Sequence, residues 1–292
     1  MGFATLASVV LIALVATPST YIVDNFLKHI VLPVSGKFNR NIFAYAAAMP
    51  APEVREGWKR KWVMVIDLER CQGVGNCVKG CQQMHNVPED QNWMELFNIK
   101  DSDSGKSFFL PRPCMQCENA PCVKVCPVGA NYYDEDGIVI IDKERCIGCR
   151  LCMAACPYGA RSFNWRRPQV DRESGDFSKS DIDITLPPGE HDPSENEFRH
   201  RVGTTAKCMF CAHRLRAGGL PACAESCPNG AIFLGDANED IVTNGRESIR
   251  LSEVVNQRAN FKMFEDLGTE PRVIYLSANA GKPDIPFPLK GD

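Results

Sequence analysis

Cys146-Ile147-Gly148-Cys149-Arg150-Leu151-Cys152-Met153-Ala154-Ala155-Cys156-Pro157 is the stretch that decides what this chain can fold around. Four cysteines follow one another as C-x2-C-x2-C-x3-C-P, and related runs occur on either side. Cys114, Cys117, Cys122 and Cys126 form a second run. Cys208, Cys211, Cys223 and Cys227 form another, with an insertion before Cys223, and Cys71, Cys77 and Cys81 form a shorter one. Numbered along the chain, these are loops three, two, four and one. Two further phrases repeat. Val65-Ile66-Asp67-Leu68-Glu69-Arg70-Cys71 matches Ile140-Ile141-Asp142-Lys143-Glu144-Arg145-Cys146, and each β-branched run reads as a strand entering a cysteine loop. Cys-Pro-x-Gly-Ala closes loops two, three and four at 126–130, 156–160 and 227–231. The proline is expected to end the short helix carrying the last cysteine, and the glycine to turn the chain into the next strand.

The chain has 292 residues, 44% of them hydrophobic, enough for one or two compact domains with real cores. A net charge of −3 gives no electrostatic footprint for nucleic acid. Fifteen cysteines in a small secreted protein would read as a disulfide framework, but this chain is long, the count is odd and the cysteines cluster. Metal ligation is the better reading. The spacings fit the run of bacterial ferredoxins, where three thiolates hold one cubane and the fourth ligates another cluster. Soft, strongly donating thiolates suit iron–sulfur clusters, and two-residue gaps let one loop wrap a cubane and aim backbone N–H groups at its sulfides. Zinc would use pairs of C-x2-C, often with histidine. Runs of four ending in Cys-Pro, with only His85 and His213 nearby, argue against it.

Loop one departs from the others. Cys71-Gln72-Gly73-Val74-Gly75-Asn76-Cys77 lies over Cys146 to Cys152, with Gly73 on Gly148 and Val74 in the place of Cys149. Four cubanes call for sixteen ligands, one more than the chain supplies. A missing thiolate most simply leaves a three-iron cluster, because the unligated iron is the one lost. The expected cofactors are therefore three [4Fe-4S] clusters and one [3Fe-4S] cluster. A non-cysteine ligand such as Asn76 or His85, an open-coordinated iron and an empty site remain the alternatives.

Around the loops the chain divides by composition. Residues 1–24 are apolar, and Phe3 to Ala16 carries no charge, which is borderline for spanning a bilayer. No basic residue precedes the run, so a membrane-associated helix is expected rather than a cleaved signal peptide. Residues 25–61 read as a linker broken by Pro33, Gly36, Pro50 and Pro52. Residues 62–236 are the cluster-binding region, interrupted by a polar insertion at 166–207 that is either solvated or a docking surface. Residues 237–292 read as a tail with one helix near Ser252 to Leu267 and a strand at Arg272 to Leu276.

From about Trp62 to Leu276 the chain resembles the four-cluster ferredoxin-like iron–sulfur subunit of the complex iron–sulfur molybdoenzymes. Polysulfide, tetrathionate and nitrate reductases, the quinone reductase complex of sulfate reducers and alternative complex III carry such modules. The resemblance rests on Cys114 to Cys126, on Gly137 to Trp165 and on Gly268-Thr269-Glu270-Pro271-Arg272-Val273. It implies an α+β fold of two ferredoxin-like double-cluster units, with an N-terminal apolar helix and a C-terminal helix-strand tail. Loops one and four (62–100 with 200–236) would build one unit, and loops two and three (101–170) the other. Carried over residue by residue, Cys71 and Cys77 with Cys227 hold the deficient cluster, and Cys208, Cys211 and Cys223 with Cys81 hold its neighbour. Cys114, Cys117 and Cys122 with Cys156 hold the third, and Cys146, Cys149 and Cys152 with Cys126 the fourth.

The resemblance further implies electron transfer between a partner redox subunit and a membrane quinone site. The expected partners are a molybdoenzyme-like or multihaem cytochrome subunit and a polytopic quinone-binding membrane subunit. In the family the first cluster faces the catalytic subunit and the fourth lies nearest the membrane. The expected location is the bacterial inner membrane. Relatives favour a periplasmic cluster domain, whereas the basic residues after the apolar segment favour the cytoplasmic face. Two rivals stand beside the relay. An open iron at loop one could act as a Lewis acid, although Gly73, Gly75, Asn76 and Lys79 offer such a site little support. The loop-one cluster could also be a structural staple outside the electron path.

Overall fold

Six consecutive buried residues, Trp62–Asp67, form strand β1, the centre of the main sheet. A strand covered on both faces reads as a continuous apolar run rather than an alternating one. In this computed structural model, which describes residues 58–88, 91–100, 105, 107–165 and 202–277, β1 lies between two strands from the far end of the chain. β8 (Ile232–Asp236) pairs with it antiparallel, from Trp62 opposite Asp236 to Ile66 opposite Ile232. β12 (Val273–Leu276) pairs with it parallel, from Met64 beside Val273 to Asp67 beside Leu276. β9 (Ile241–Thr243), β10 (Ser248–Arg250) and β11 (Asn260–Phe261) complete the order β10-β9-β8-β1-β12-β11.

Alternation along β1 gives the sheet two different faces. Val63 and Val65 join Phe233, Val242, Ile274 and Leu276 under helix Leu251–Gln257, which packs Val254 and Val255 on them. Met64 and Ile66 face the other way, into the large core that holds most of the cysteines. The remaining strands are short antiparallel pairs. β2 (Glu95–Lys100) pairs β3 (Ser107–Arg112), β4 (Asn131–Tyr133) pairs β5 (Val139–Ile141), and β6 (Ser162–Phe163) pairs β7 (Thr205–Ala206). The helices are numbered α1 (Asn76–His85), α2 (Pro121–Lys124), α3 (Leu151–Ala154), α4 (Ala212–Arg216), α5 (Ala222–Glu225) and α6 (Leu251–Gln257). α1 packs on α5, and α2 on α3.

The repeated phrases now have physical causes. β1 leads into loop one and pairs with the strand leaving loop four. β5 leads into loop three and pairs with the strand leaving loop two. In both places the aspartate N–H donates to the alanine that closes the partner loop, Asp67 to Ala231 O at 2.8 Å and Asp142 to Ala130 O at 2.7 Å. Each carboxylate then accepts the N–H two residues on, from Glu69 at 3.1 Å and from Glu144 at 2.9 Å. Each also meets the arginine three residues on, Arg70 and Arg145, both at 3.2 Å. The aspartate fixes the turn into the cysteine loop, as short polar side chains do.

Several expectations change. The segment after Asp236, read as a tail, supplies four of the six strands of the main sheet. The helix expected near Ser252 to Leu267 stops at Gln257. Asn260 Nδ2 donates to Val255 O at 2.7 Å and to Arg258 O at 3.0 Å, and Arg258 is drawn to Asp67 and Glu69, so the chain leaves the helix to pair as β11. A 3-10 turn at Glu265–Leu267 is all that remains of the expected last stretch. The end of the expected linker is docked: Lys59 N–H donates to Glu135 O at 3.0 Å, and Trp58 lies 5.4 Å from the Tyr133 ring. The helices of loops two, three and four carry the third cysteine of each loop and end before the last. The apolar segment 1–24, most of the linker and most of the 166–207 insertion lie outside the described residues. Among the described residues no helix is long and apolar enough to cross a membrane.

Arg272, 2% exposed, ties the sheet to loop two. It donates through Nε to Gln116 O at 2.7 Å and through its terminal nitrogens to Asp136 O and Gly137 O, while its own N–H reaches Met115 O at 2.9 Å. Arg272→Met leaves buried carbonyls without donors, which costs on the order of 1–3 kcal/mol per group. We expect a loss of about 3 kcal/mol or more, measured as an earlier urea midpoint of tryptophan fluorescence under anaerobic conditions.

Candidate iron–sulfur cluster sites

A shared backbone device shapes all four loops. The residue just before the second cysteine position is left-handed in each: Gly73 (φ 73°), Gln116 (φ 46°), Gly148 (φ 70°) and Phe210 (φ 53°). Gly75 and Arg150, one residue beyond that position in loops one and three, are left-handed too and start α1 and α3. Val74 therefore stands in loop one where Cys149 stands in loop three, on the same turn, and both are exposed. Two of these turns use non-glycine residues at positive φ, a strained conformation that surrounding structure must hold. At Gly148 a side chain has no room, since an added Cβ would meet Gly203 O.

The Cys-Pro-x-Gly-Ala phrase is a second device. In each copy the glycine N–H donates to the cysteine carbonyl, at 3.3 Å for Gly129, 3.3 Å for Gly159 and 3.2 Å for Gly230. That glycine is left-handed (φ 63°, 63° and 60°), which turns the following alanine N–H back onto the cysteine sulfur. Ala130 reaches Cys126 Sγ at 3.2 Å and Ala231 reaches Cys227 Sγ at 3.3 Å, and Ala160 bonds Cys156 likewise. Burial pushes the Cys126 thiol up, but N–H groups of Asn131, Val128 and Ala130 outweigh it and leave its pKa lowered. These are the donors that stabilise a thiolate ligand.

The thiols gather in four groups. Cys71, Cys77 and Cys227 face one another; burial and then Cys71 and Cys227 push Cys77 up to about 11. Cys81 lies with Cys208 and Cys211, and Cys223 adjoins all three. Burial pushes Cys208 up to about 12 and Cys211 up to about 11. Cys114, Cys117 and Cys122 surround Cys156, which burial and then Cys122 and Cys114 push up to about 11. Cys126, Cys146, Cys149 and Cys152 line one open recess with Thr205. All fifteen cysteines are free.

Packing thiols together in a buried place raises the cost of ionising each, and coordination to a cation removes that cost by deprotonating them outright. Among the described residues no three histidine, cysteine or carboxylate side chains converge closely enough to hold a single metal ion. Groups of three or four thiols too open for one ion, with backbone N–H groups aimed at the thiols, fit iron–sulfur clusters.

Several side chains here carried no sequence signal of their own. Thr205 Oγ1 lies 3.5 Å from Cys152 Sγ and 3.9 Å from Cys146 Sγ, placed there by the β6–β7 pair. Thr269 hydrogen-bonds both Cys117 and Tyr158, within the Gly268 to Val273 segment. His85, considered for loop one, instead lies in the second group: its Nε2 is 3.1 Å from Cys211 Sγ, with Trp93 5.0 Å and His213 5.4 Å away between ring centres. Asn76 is exposed at the start of α1.

Residues 106–182 and 194–237 match the family described as the 4Fe-4S dicluster domain. A selenate reductase subunit of Mesobacillus selenatarsenatis is 37% identical over 74% of this chain and 72% of its own. The iron–sulfur cluster-binding subunit of menaquinone reductase from Nitratidesulfovibrio vulgaris is 38% identical, over 75% of this chain and 90% of its own. A tetrathionate reductase subunit of Salmonella typhimurium is 34% identical, over 77% and 76%. With such matches across the cysteine loops and the sheet that carries them, the chain belongs to the family of ferredoxin-like iron–sulfur electron-transfer subunits of the complex iron–sulfur molybdoenzymes and their relatives.

Proposed function

We propose that this chain relays electrons through three [4Fe-4S] clusters and one [3Fe-4S] cluster, between a partner redox subunit and a membrane quinone site. The ligand sets are those of the four thiol groups. Cys71, Cys77 and Cys227 hold the three-iron cluster beside Val74. Cys208, Cys211, Cys223 and Cys81 hold the next, Cys114, Cys117, Cys122 and Cys156 the third, and Cys146, Cys149, Cys152 and Cys126 the last. Bound there, the clusters supply one-electron redox chemistry. The protein's own residues hold the thiolates and donate N–H groups to them.

The observation that carries the proposal is the end-to-end adjacency of the groups. Cys77 adjoins Cys81 and Cys223, which links the first to the second. Cys208 adjoins Cys114, which links the second to the third. Arg161 lies among Cys114, Cys122, Cys152 and Cys156, which links the third to the last. Two double-cluster units, loops one with four and loops two with three, are supported by the β1–β8 and β4–β5 ladders. Quinone involvement draws on the menaquinone reductase relative.

The two ends of this order have different surfaces. Around the last group, Ile147 (63% exposed), Leu151, Trp165 (61%) and Val202 stand out of the surface beside the exposed Cys149. Exposed apolar residues gathered in one place mark an interaction site. We assign this end to a polytopic quinone-binding subunit of the bacterial inner membrane. The loop-one end, where Val74 is exposed, is assigned to the molybdoenzyme-like or multihaem partner. A periplasmic position follows the relatives named by resemblance, with the cytoplasmic face as the alternative. A Lewis-acid site at loop one would need free acid–base groups beside an open iron, and the nearby Arg70 and Glu247 are paired with each other.

Two measurements test this. Frozen, oxidised protein should show the paramagnetic signal of a three-iron cluster, unchanged by added hydro-lyase substrates. Val74→Cys should abolish that signal and add about one iron per chain by completing the cubane set; retention of the signal, or its response to substrate, would overturn the assignment. Ile147→Glu with Trp165→Glu should leave iron content unchanged and strip the membrane subunit from the purified complex, and retention of that subunit would move the docking surface elsewhere.

A further inference from the structure

Arg161 follows directly on the Cys-Pro-Tyr-Gly-Ala phrase that closes loop three and is 7% exposed. A buried guanidinium keeps its charge, and leaving it unpaired costs several kcal/mol. Among the described residues no carboxylate pairs with it. Its side chain reaches Cys122, yet both terminal nitrogens, Nη1 and Nη2, are buried with no hydrogen-bond partner. The neighbouring buried cations differ. Lys207 Nζ donates to Val139 O and Cys208 O, and Lys143 Nζ donates to Thr205 O. Cys122, Cys152, Cys156 and Cys114 lie around its guanidinium.

These thiols belong to two different groups, Cys114, Cys122 and Cys156 to the third and Cys152 to the last. A planar guanidinium presents five donors in a fixed fork and can serve acceptors on two sides at once, as an ammonium on a flexible stem cannot. Hydrogen bonds to cluster sulfur, together with nearby positive charge, raise the reduction potential by favouring the more negative reduced state.

We propose that Arg161 is a positioning residue shared by the clusters of loops two and three, its two unpartnered amino groups donating to sulfur atoms of both and raising both potentials together. The inference rests on the ligand sets proposed above. With one residue biasing both clusters the same way, the step between them stays close to level while the pair as a whole becomes the easier place to park an electron.

The test is a redox titration of the purified complex followed by electron paramagnetic resonance, with iron content measured in parallel and the loop-three signal assigned by its loss in Cys149→Ser. A wild-type complex lacking cubane signals from loops two and three would sink the ligand assignment itself, independently of Arg161. With both clusters present, Arg161→Met should shift the reduction equilibrium of each about tenfold toward the oxidised form, 59 mV for a one-electron couple, and leave the other two nearly unmoved. Unchanged potentials, or a shift in only one of the pair, would overturn the shared role. Should Arg161→Met fail to retain its clusters, Arg161→Lys decides. It keeps the charge and loses the fork, so both potentials should fall part of the way, and wild-type potentials in that variant would refute the donor role.

Discussion

A thiol supplied by one loop to a group built by another is the constraint on which the whole architecture depends. Cys227 sits with Cys71 and Cys77 although some 150 residues separate them, and Cys81 sits with Cys208, Cys211 and Cys223. Such groups survive only if loops remote in sequence are held in fixed register. The hydrogen-bonded ladders β1–β8 and β4–β5 supply that register, because the strand entering one loop pairs with the strand leaving its partner. Asp67 and Asp142 fasten the crossing by donating to Ala231 and Ala130, the last residues of the closing phrase. The short helices pack in matching pairs on top. What the sequence displays as repeated words is one mechanical joint used twice.

Much of this was legible because the chemistry is local. A cysteine run, a Pro-x-Gly-Ala turn and an Ile-Asp-x-x-Arg-Cys entry each do their work within a few residues, so spacing alone exposes them. Contacts that depend on distant pairing left no such trace. β12 reads as one more apolar run, and nothing in Val273 to Leu276 says that its neighbour is β1 rather than a strand nearby. Thr205 and Thr269 look like ordinary polar residues until the β6–β7 pair and the Gly268 turn bring them to thiols. His85 was visible as a possible ligand, but which group it would meet depended on how α1 packs on α5. The helix expected to reach Leu267 failed for a similar reason. Arg258 is drawn to Asp67 and Glu69, which only the sheet brings near, while Asn260 bonds back to Val255 O and Arg258 O at the helix end.

Val74 shows how separable a ligand is from its scaffold. The left-handed residues on either side of it repeat those around Cys149, and the following helix starts at the same point. Loop one has lost a sulfur and kept the turn that would present it. On that shared turn the difference between loops one and three is one exposed side chain, Val74 in place of Cys149.

The parallel pairing of β12 with β1 bears on how the molecule comes into being. Loops two and three, with their ladder, lie between residues 114 and 160, and that half of the core can close while synthesis is still under way. The other half cannot. β1 is among the first described residues to emerge, yet its neighbours are residues 232–236 and 273–276, so its two flanks stay unprotected until nearly the whole chain exists. Pairing of distant strands is slow and leaves hydrophobic edges exposed meanwhile. The thiol group at loop one thus belongs to the part of the fold that closes last, because Cys227 and the strands that hold its register arrive late in the chain.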